Sequence, residues 1–400
     1  MVKVGVVGTG SIFQRMHLPS YPEVQDAQVV ALADVSEKNL NMAKKLLQAA
    51  YEEKAKKLED IDAEAAESAR VAADSITTYA SLDVMLDKED VELLDICTPP
   101  KYHVDAIKAA ERGIAVMVEK PMAFSYLEAE KIWQAVKDNH TFYQHNEQEV
   151  FDPLYYTSRK VIQGGALGEL AFMSISFAHF GPESRRWFWD EEVSGGGSLV
   201  DMATHSITVA WFLAGFEKKI ASVKSAAPIG ISRRVPQRII QGEFREFNVE
   251  DDAHLLLRFE GEHGDWITAL LEGSWTERDS LPFFVQGTTG RLSIKEEATE
   301  KVLLLTDNFG YTRTIGLPRW AAFEMELSNA VACVKEGARS ISNEDVGLGT
   351  TAAMGAAYLS EIKGRAAVTL EEFQDYAHTF SDGLELVKAL IKGVKEGSGV

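Results

Sequence analysis

The sequence predicts an α/β chain in two parts: a doubly wound parallel sheet over residues 1–150, then an α+β part over residues 151–400 built on a large, open, mostly antiparallel sheet. Three observations predict it. Residues 2–7, 28–33, 91–97 and 116–118 are largely apolar runs set between helical stretches, and strands without a polar face belong in a parallel sheet covered on both sides. Residues 218–315 read instead as successive strands separated by short turns, such as Thr288-Thr289-Gly290 and Gly261-Glu262-His263-Gly264. Finally, 400 residues exceed one ordinary core, and 46% hydrophobic with 26% charged residues is a folded composition.

Composition also excludes partners. A formal charge of −20 argues against nucleic acid, whose binding rests on Lys and Arg neutralising phosphates. No apolar run is long enough to span a bilayer, and a strand starting at Val2 leaves no room for a signal peptide. Cys97 and Cys333 lie far apart without metal-ligand spacing, which fits a reducing compartment. The cytoplasm is the expected location.

The first strand runs into Gly8-Thr9-Gly10-Ser11-Ile12-Phe13. A strand, a Gly-x-Gly turn and a helix together let backbone N–H groups at the helix start approach a pyrophosphate. Phe13 stands where Gly or Ala usually packs the helix on the strand, a departure that allows for a tilted helix. The second strand ends in Asp34, 26 residues after Gly8. There a carboxylate would accept hydrogen bonds from a ribose diol and repel a 2′-phosphate, so NAD is favoured over NADP. Asp34 would alternatively cap a helix starting near Ser36; its place after the second strand favours the cofactor role.

Residues 37–73 are rich in Ala, Lys, Glu and Leu and predict long, exposed helices. A short edge strand at 75–79 and a short helix at 81–86 follow. The strand at 91–97 ends in Thr98-Pro99-Pro100-Lys101-Tyr102-His103, where the prolines delay a helix spanning 102–112. His103 by itself reads as a first-turn surface histidine. Val116-Met117-Val118 then leads into Glu119-Lys120-Pro121, so Lys120 sits at the carboxyl end of a buried strand, where open parallel sheets bind ligands. Alone, this would be an ordinary strand end with a solvated lysine; four such strand ends on one edge favour a site.

Gly8-Thr9-Gly10, Asp34, Thr98-Pro99 with His103, and Glu119-Lys120-Pro121 together resemble the glucose-fructose oxidoreductase / inositol dehydrogenase / MocA (Gfo/Idh/MocA) family of NAD(P)-dependent sugar and polyol oxidoreductases. The likeness covers nearly the whole chain, and Glu-Lys-Pro is its most specific element. It implies a Rossmann domain that holds the dinucleotide through Gly8, Gly10, Ser11, Ile12, Asp34, Thr98, Pro99, His103, Glu119 and Lys120. It also implies that Lys120 lies between nicotinamide and substrate. Family members commonly carry an arginine where this chain has Val150, and the long insert after Asp34 is a further departure.

In the second part, Ser125 and Glu128 form a capping box for a helix over 125–139, and 141–145 reads as the last strand of the first domain. A helix at 152–163 and a strand at 170–180 precede Arg185-Arg186-Trp187-Phe188-Trp189-Asp190. Arg186 and Trp187 suit a sugar, since aromatic rings cover C–H faces and guanidinium groups bind hydroxyls; tryptophan filling a core beside solvated arginine is as good a reading. Ser194-Gly195-Gly196-Gly197-Ser198 opens a helix in which Asp201 and His205, four apart, share a face. A carboxylate beside an imidazole favours its protonated form, as removal of a hydroxyl proton requires. Equally, Ser198 as N-cap would put Asp201 in a capping box. The resemblance makes Lys120, Asp201 and His205 the catalytic set, with Thr208 where an acidic residue is often found.

The broad sheet of this part is expected to bind a second copy, giving a homodimer or homotetramer, and helices at 320–336 and 343–362 to pack back on the domain interface. His254 and His263 form no metal constellation with a nearby acid, so no metal site is expected. The reading is an NAD-dependent oxidoreductase of a sugar or polyol. A redox-neutral sugar enzyme that retains NAD and a non-catalytic dinucleotide-binding regulator remain the alternatives.

Overall fold

The computed structural model describes residues 1–230, 238–240, 243–245, 248–261, 266–276, 281–297 and 300–397. They form two compact units: Met1–Met122 with Lys131–Gln148 and Trp320–Glu344, and Ala123–Glu130 with Glu149–Arg319 and Asp345–Val400. A single cut near residue 150 therefore does not describe the chain, because Trp320–Glu344 falls with the first unit. The helix Ala322–Glu336 explains this: Leu327, Ala330 and Val331, spaced to share a helix face, are buried in the same core as Val4, Val6, Leu32 and Leu93.

The first unit is a six-stranded parallel sheet of β1 (Val2–Val7), β2 (Ala27–Ala33), β3 (Thr77–Tyr79), β4 (Leu93–Ile96), β5 (Ala115–Glu119) and β6 (Tyr143–Asn146), in the order β3-β2-β1-β4-β5-β6. The chain runs outward from β1 to β3, then restarts at β4 and runs the other way. The switch point at the carboxyl ends of β1 and β4 is where such sheets leave a crevice. All residues of β4 and β5 are buried, the acids Asp95 and Glu119 along with their apolar neighbours. The Ala- and Lys-rich insert forms the helices Glu37–Leu58 and Ala63–Asp74, capped by Ser36 and Asp62.

Two local expectations change. Pro100 starts a 3₁₀ turn, Pro100–Tyr102, and the α-helix begins only at Asp105; His103, between them, is fully buried and not on the surface. Phe13 is fully buried in the core beneath β1, and the chain winds as a π-helical turn over Phe13–His17, with His17 buried as well.

The second unit holds an eight-stranded sheet of β7 (Leu170–Ala178), β8 (Ile220–Ser225), β11 (Asp252–Glu260), β12 (Trp266–Ser274), β13 (Phe284–Gly287), β14 (Gly290–Glu297), β15 (Glu300–Asp307) and β16 (Thr312–Ile315). A separate pair is formed by β9 (Arg238–Ile240) and β10 (Glu243–Arg245). Every pairing in the large sheet is antiparallel except that of β7 with β12. Alternation is strict in β11, where Ala253, Leu255, Leu257 and Phe259 are buried and the residues between are partly exposed. Glu262, His263 and Gly264 of the expected turn lie outside the described residues.

The buried face carries the helix of Asp201 and His205. Gly273 of β12 makes the close approach possible, since a Cβ there would lie 2.5 Å from the Ala203 Cβ. Gly273→Ala is expected to lower stability by about 1–3 kcal/mol in urea denaturation, because backbone and side chain must shift to admit the methyl group. An unchanged midpoint would show that the helix is not seated there.

Candidate active site

At the switch point of the first unit, Gly8 adopts φ +87° and passes so close to the next loop that a Cβ would sit 2.7 Å from the Cys97 carbonyl carbon and the Thr98 nitrogen. Gly10 is the opposite case: a Cβ there meets nothing within 4 Å. The helix that follows begins with Gln14 N–H on the Gly10 carbonyl, so the amides of Ser11 and Ile12 belong to its positive end. Open space before a helix start fits a pyrophosphate. Asp34 completes the rim, its Oδ2 accepting from Thr9 N–H at 2.7 Å and Thr9 Oγ1 at 3.0 Å and its Oδ1 from Ser36 N–H at 2.8 Å. Ser36, not Asp34, caps the helix, accepting from Asn39 N–H. Asp34 instead ties the glycine turn to the end of β2.

The loops after β4 and β5 are joined by His103. Its Nδ1 lies 2.8 Å from the Pro121 carbonyl and its Nε2 2.8 Å from the Thr98 carbonyl. Burial holds its pKa below the ordinary value, against the pull of both carbonyls. His103 thus contributes to the edge by fixing Thr98 and the cis Lys120–Pro121 segment. Pro99 precedes the 3₁₀ turn, and the Thr98 hydroxyl, buried, has no hydrogen-bond partner among the described residues. Lys120 is half-buried at the end of β5.

Beneath this edge lies a cluster that the sequence reading missed. His17 Nδ1 meets Asp95 Oδ2 at 2.8 Å and Nε2 meets Glu119 Oε1 at 2.9 Å; Tyr21 donates to Asp95 Oδ2 at 2.7 Å, and Cys97 Sγ lies 3.5 Å from Nδ1. Glu119, expected at the cofactor, is therefore turned onto His17. Burial opposes a charge on His17, but Asp95 and then Cys97 outweigh it and hold the imidazole well above its ordinary pKa. Glu326 is buried nearby with neither carboxyl oxygen hydrogen-bonded among the described residues, and burial followed by the charge of Glu119 pushes its pKa well up. Asp95 and Glu119, acids inside apolar strands, were the available signal.

In the second unit Ser198 does not cap its helix; its hydroxyl is buried without a hydrogen-bond partner among the described residues. The capping-box reading of Asp201 fails, because Ser198 N–H is taken by the Glu250 backbone carbonyl and Asp201 N–H by the Gly197 carbonyl, each at 2.9 Å. Leu199–Ala203 is a π-helical turn that continues as an α-helix over Thr204–Ala214. Asp201 Oδ2 accepts from the Trp275 indole at 2.9 Å and lies 3.5 Å from His179 Nε2. His179 Nδ1 accepts from Gly181 N–H at 2.8 Å, which places the proton of the neutral ring on Nε2, toward Asp201. The His205 ring, buried, packs on Phe177 with centroids 5.3 Å apart.

The Arg/Trp segment splits between both readings. Trp189 is the core filler, buried against Trp275 at 4.8 Å, whereas Trp187 stacks on Phe188 at 3.8 Å, with Arg185 over Phe188 and Arg186 exposed. Val150 is buried, and Thr208 donates to the Thr204 carbonyl beside Thr350. His179, Trp275 and Glu250 gave no sequence signal, because each meets its partner from a distant stretch. The expectation that His254 has no acid nearby is overturned: β11 and β12 pair it with Glu272, and its nitrogens lie 3.7 Å from Asp252 and 3.5 Å from Glu272.

A parallel sheet with this glycine turn, followed in sequence by an open, mostly antiparallel sheet with an Asp–His helix, defines the class: a Rossmann-type α/β unit with an α+β unit after it. The chain belongs to the Gfo/Idh/MocA family: the model of the oxidoreductase family with an NAD-binding Rossmann fold matches residues 2–147, and that of the GFO/IDH/MocA C-terminal domain matches residues 155–293. Levoglucosan dehydrogenase of Pseudarthrobacter phenanthrenivorans is 25% identical over 237 residues, 54% of this chain and 59% of that protein, so the match spans well under two thirds of the relative. Inositol 2-dehydrogenase of Rhizobium meliloti is 23% identical over 370 residues, 91% of this chain and 98% of its own. A solved levoglucosan dehydrogenase in complex with NADH and L-sorbose superposes with a TM-score of 0.75 at 18% identity, covering 94% of this chain and 100% of that one, which establishes the shared fold. Among the described residues no helix is long and apolar enough to cross a membrane.

The His17 clamp makes a pH prediction. Its folded pKa lies above the unfolded value of 6.5, so its contribution to stability is whole below 6.5 and is lost as pH rises through the folded pKa. Urea unfolding should show that decline in the parent. His17→Gln should flatten it and cost about 3–5 kcal/mol near neutrality, since two buried carboxylates lose their partner. An equal decline in the variant would remove His17 as its source.

Proposed function

We propose that the protein is an NAD-dependent oxidoreductase that moves hydride between nicotinamide and a hydroxyl-bearing carbon of a sugar, polyol or sugar derivative. The supporting observation is the Asp201 carboxylate. Its capping explanation is gone, and it is held by the Trp275 indole beside His179 on the helix that carries His205. A partly buried carboxylate fixed by the Trp275 indole N–H is held in place to act beside an imidazole.

In this reading Gly8, Gly10, Ser11, Ile12, Asp34, Thr98 and Pro99 hold the dinucleotide, which supplies the hydride acceptor. His103 and Glu119 act from beneath by fixing the loops and strand end around Lys120. Lys120 binds and polarises the substrate oxygen, His205 takes the hydroxyl proton, and Asp201 stabilises the imidazolium so formed. Trp187 and Arg186 contribute to sugar binding, the former through the ring face of its stack with Phe188. The names of the relatives, levoglucosan and inositol dehydrogenases, support a sugar or polyol as substrate. Asp34 supports NAD over NADP. Free Cys97 and Cys333 suit a reducing, cytoplasmic setting. Phe172 and Phe284 stack on the partly exposed face of the large sheet, which supports a dimer or tetramer formed through that face.

Reduction of NAD and NADP should be followed with inositols, aldoses, anhydrosugars and sugar acids, NADH formation with NAD being the expected result. On the best substrate, Lys120→Ala and Asp201→Asn should each lower kcat by about 100-fold or more, as loss of positioned proton-transfer groups does. Turnover within a few-fold of the parent would refute the roles. A bound cofactor that persists through gel filtration, with no net NADH, would move the reading to a redox-neutral sugar enzyme.

A further inference from the structure

The glycine run before Asp201 has the sequence of a helix that caps itself, yet its capping group comes from another part of the unit. Glu250 Oε1 accepts the Gly197 and Leu199 N–H groups, both at 2.9 Å, while its backbone carbonyl accepts Ser198 N–H at 2.9 Å. Three consecutive amides of the helix start are thus satisfied by one residue. The approach is too close for side chains: a Cβ at Gly197 would fall 1.8 Å from the Glu250 carbonyl oxygen, and one at Gly196 2.2 Å from the Tyr358 hydroxyl. Gly197 in turn receives Asp201 N–H on its carbonyl at 2.9 Å, so the backbone of Asp201 hangs from the residue that Glu250 grips.

We propose that Glu250 is a positioning residue for Asp201 and His205: its buried carboxylate fixes the start of their helix, and a change in its charge moves that start. The proposal rests on the reading of Asp201 and His205 as acid–base groups. Geometry separates Glu250 from an ordinary cap. A surface Ser or Asp cap keeps one charge state near neutrality and has water in reserve, whereas Glu250 is fully buried, with the Tyr358 hydroxyl beside its carboxyl.

The groups that face the carboxyl are the amides of Gly197 and Leu199 and the Tyr358 hydroxyl of the helix Glu344–Ile362, with Glu191 acting on Tyr358 from behind. Burial raises the carboxyl pKa to about 7, although Tyr358 and the two amides pull it down. Two effects then oppose each other as pH rises. Ionisation strengthens the grip on the amides, because charge-assisted hydrogen bonds are the stronger ones. Global stability meanwhile falls, since the contribution of a carboxyl whose folded pKa is raised is whole below the unfolded value of 4.5 and is lost through about 7.

The test uses the full chain. Amide ¹⁵N shifts of Gly197 and Leu199 should titrate together with a midpoint near 7 in the parent and stay flat in Glu250→Gln. Gln keeps an oxygen for both amides and removes the charge. On a sugar substrate, Glu250→Ala should lower kcat by about 10-fold or more with KM within a few-fold, and Glu250→Gln should restore most of it. Amides that titrate equally in Glu250→Gln would overturn the proposal. So would parent-like kcat in Glu250→Ala despite a lower melting temperature, since that marks a purely structural residue. If the parent turns over no sugar or polyol, the proposed function fails, and the amide titration alone decides for or against Glu250.

Discussion

The edge of the first unit depends on one imidazole placed between two carboxylates. Asp95 and Glu119 sit in adjacent parallel strands whose other residues are apolar, and a pair of buried negative charges there would separate the strands. His17 reaches both, one ring nitrogen to each, and it can do so because the preceding turn is wound as a π-helix that carries Phe13 and His17 inward together. The clamp fixes the carboxyl end of β5 one residue before Lys120. His103 sits fully buried between the loops, its ring nitrogens 2.8 Å from the Thr98 and Pro121 carbonyls, one of which its single N–H binds in the neutral form. What looks at the sequence level like a row of ligand-binding residues is therefore layered, with some groups at the edge and others holding them from below.

The second unit applies the same physics to a helix. Gly273 lets the helix approach β12 and Gly197 lets its first turn approach Glu250, and amides packed that closely need acceptors from the protein. Glu250 supplies the acceptor. The Glu250 carbonyl takes Ser198 N–H, and the Asp201 carboxylate accepts from the Trp275 indole.

The sheets were legible because periodicity reports burial directly: covered parallel strands read as apolar runs, and β11 alternates as a half-exposed strand does. The glycine turn, Asp34 and Lys120 were legible because each lies next to a strand end that the same pattern locates. Side-chain partnerships were not. Whether Asp201 caps its helix or faces Trp275 depends on Glu250, and neither Glu250 nor His179 shares a local pattern with it. His103 was misplaced for a simpler reason: Pro100 diverts the chain into a 3₁₀ turn, which rotates the histidine inward where a regular helix would have left it outside. Trp320–Glu344 was assigned to the wrong unit because a helix's apolar stripe shows that it packs, and not on what.

Asp34 has a consequence for redesign. The carboxylate that would read the ribose is also the acceptor for the backbone and side chain of Thr9, within the turn where the phosphates would bind. On the proposed role of Asp34, selectivity and scaffold would thus fall on one carboxylate, both Thr9 bonds ending on its Oδ2. Swapping this residue to admit a phosphorylated ribose would strip the loop of its anchor at the same stroke, so a workable exchange of coenzyme preference calls for a paired change that gives Thr9 a substitute acceptor.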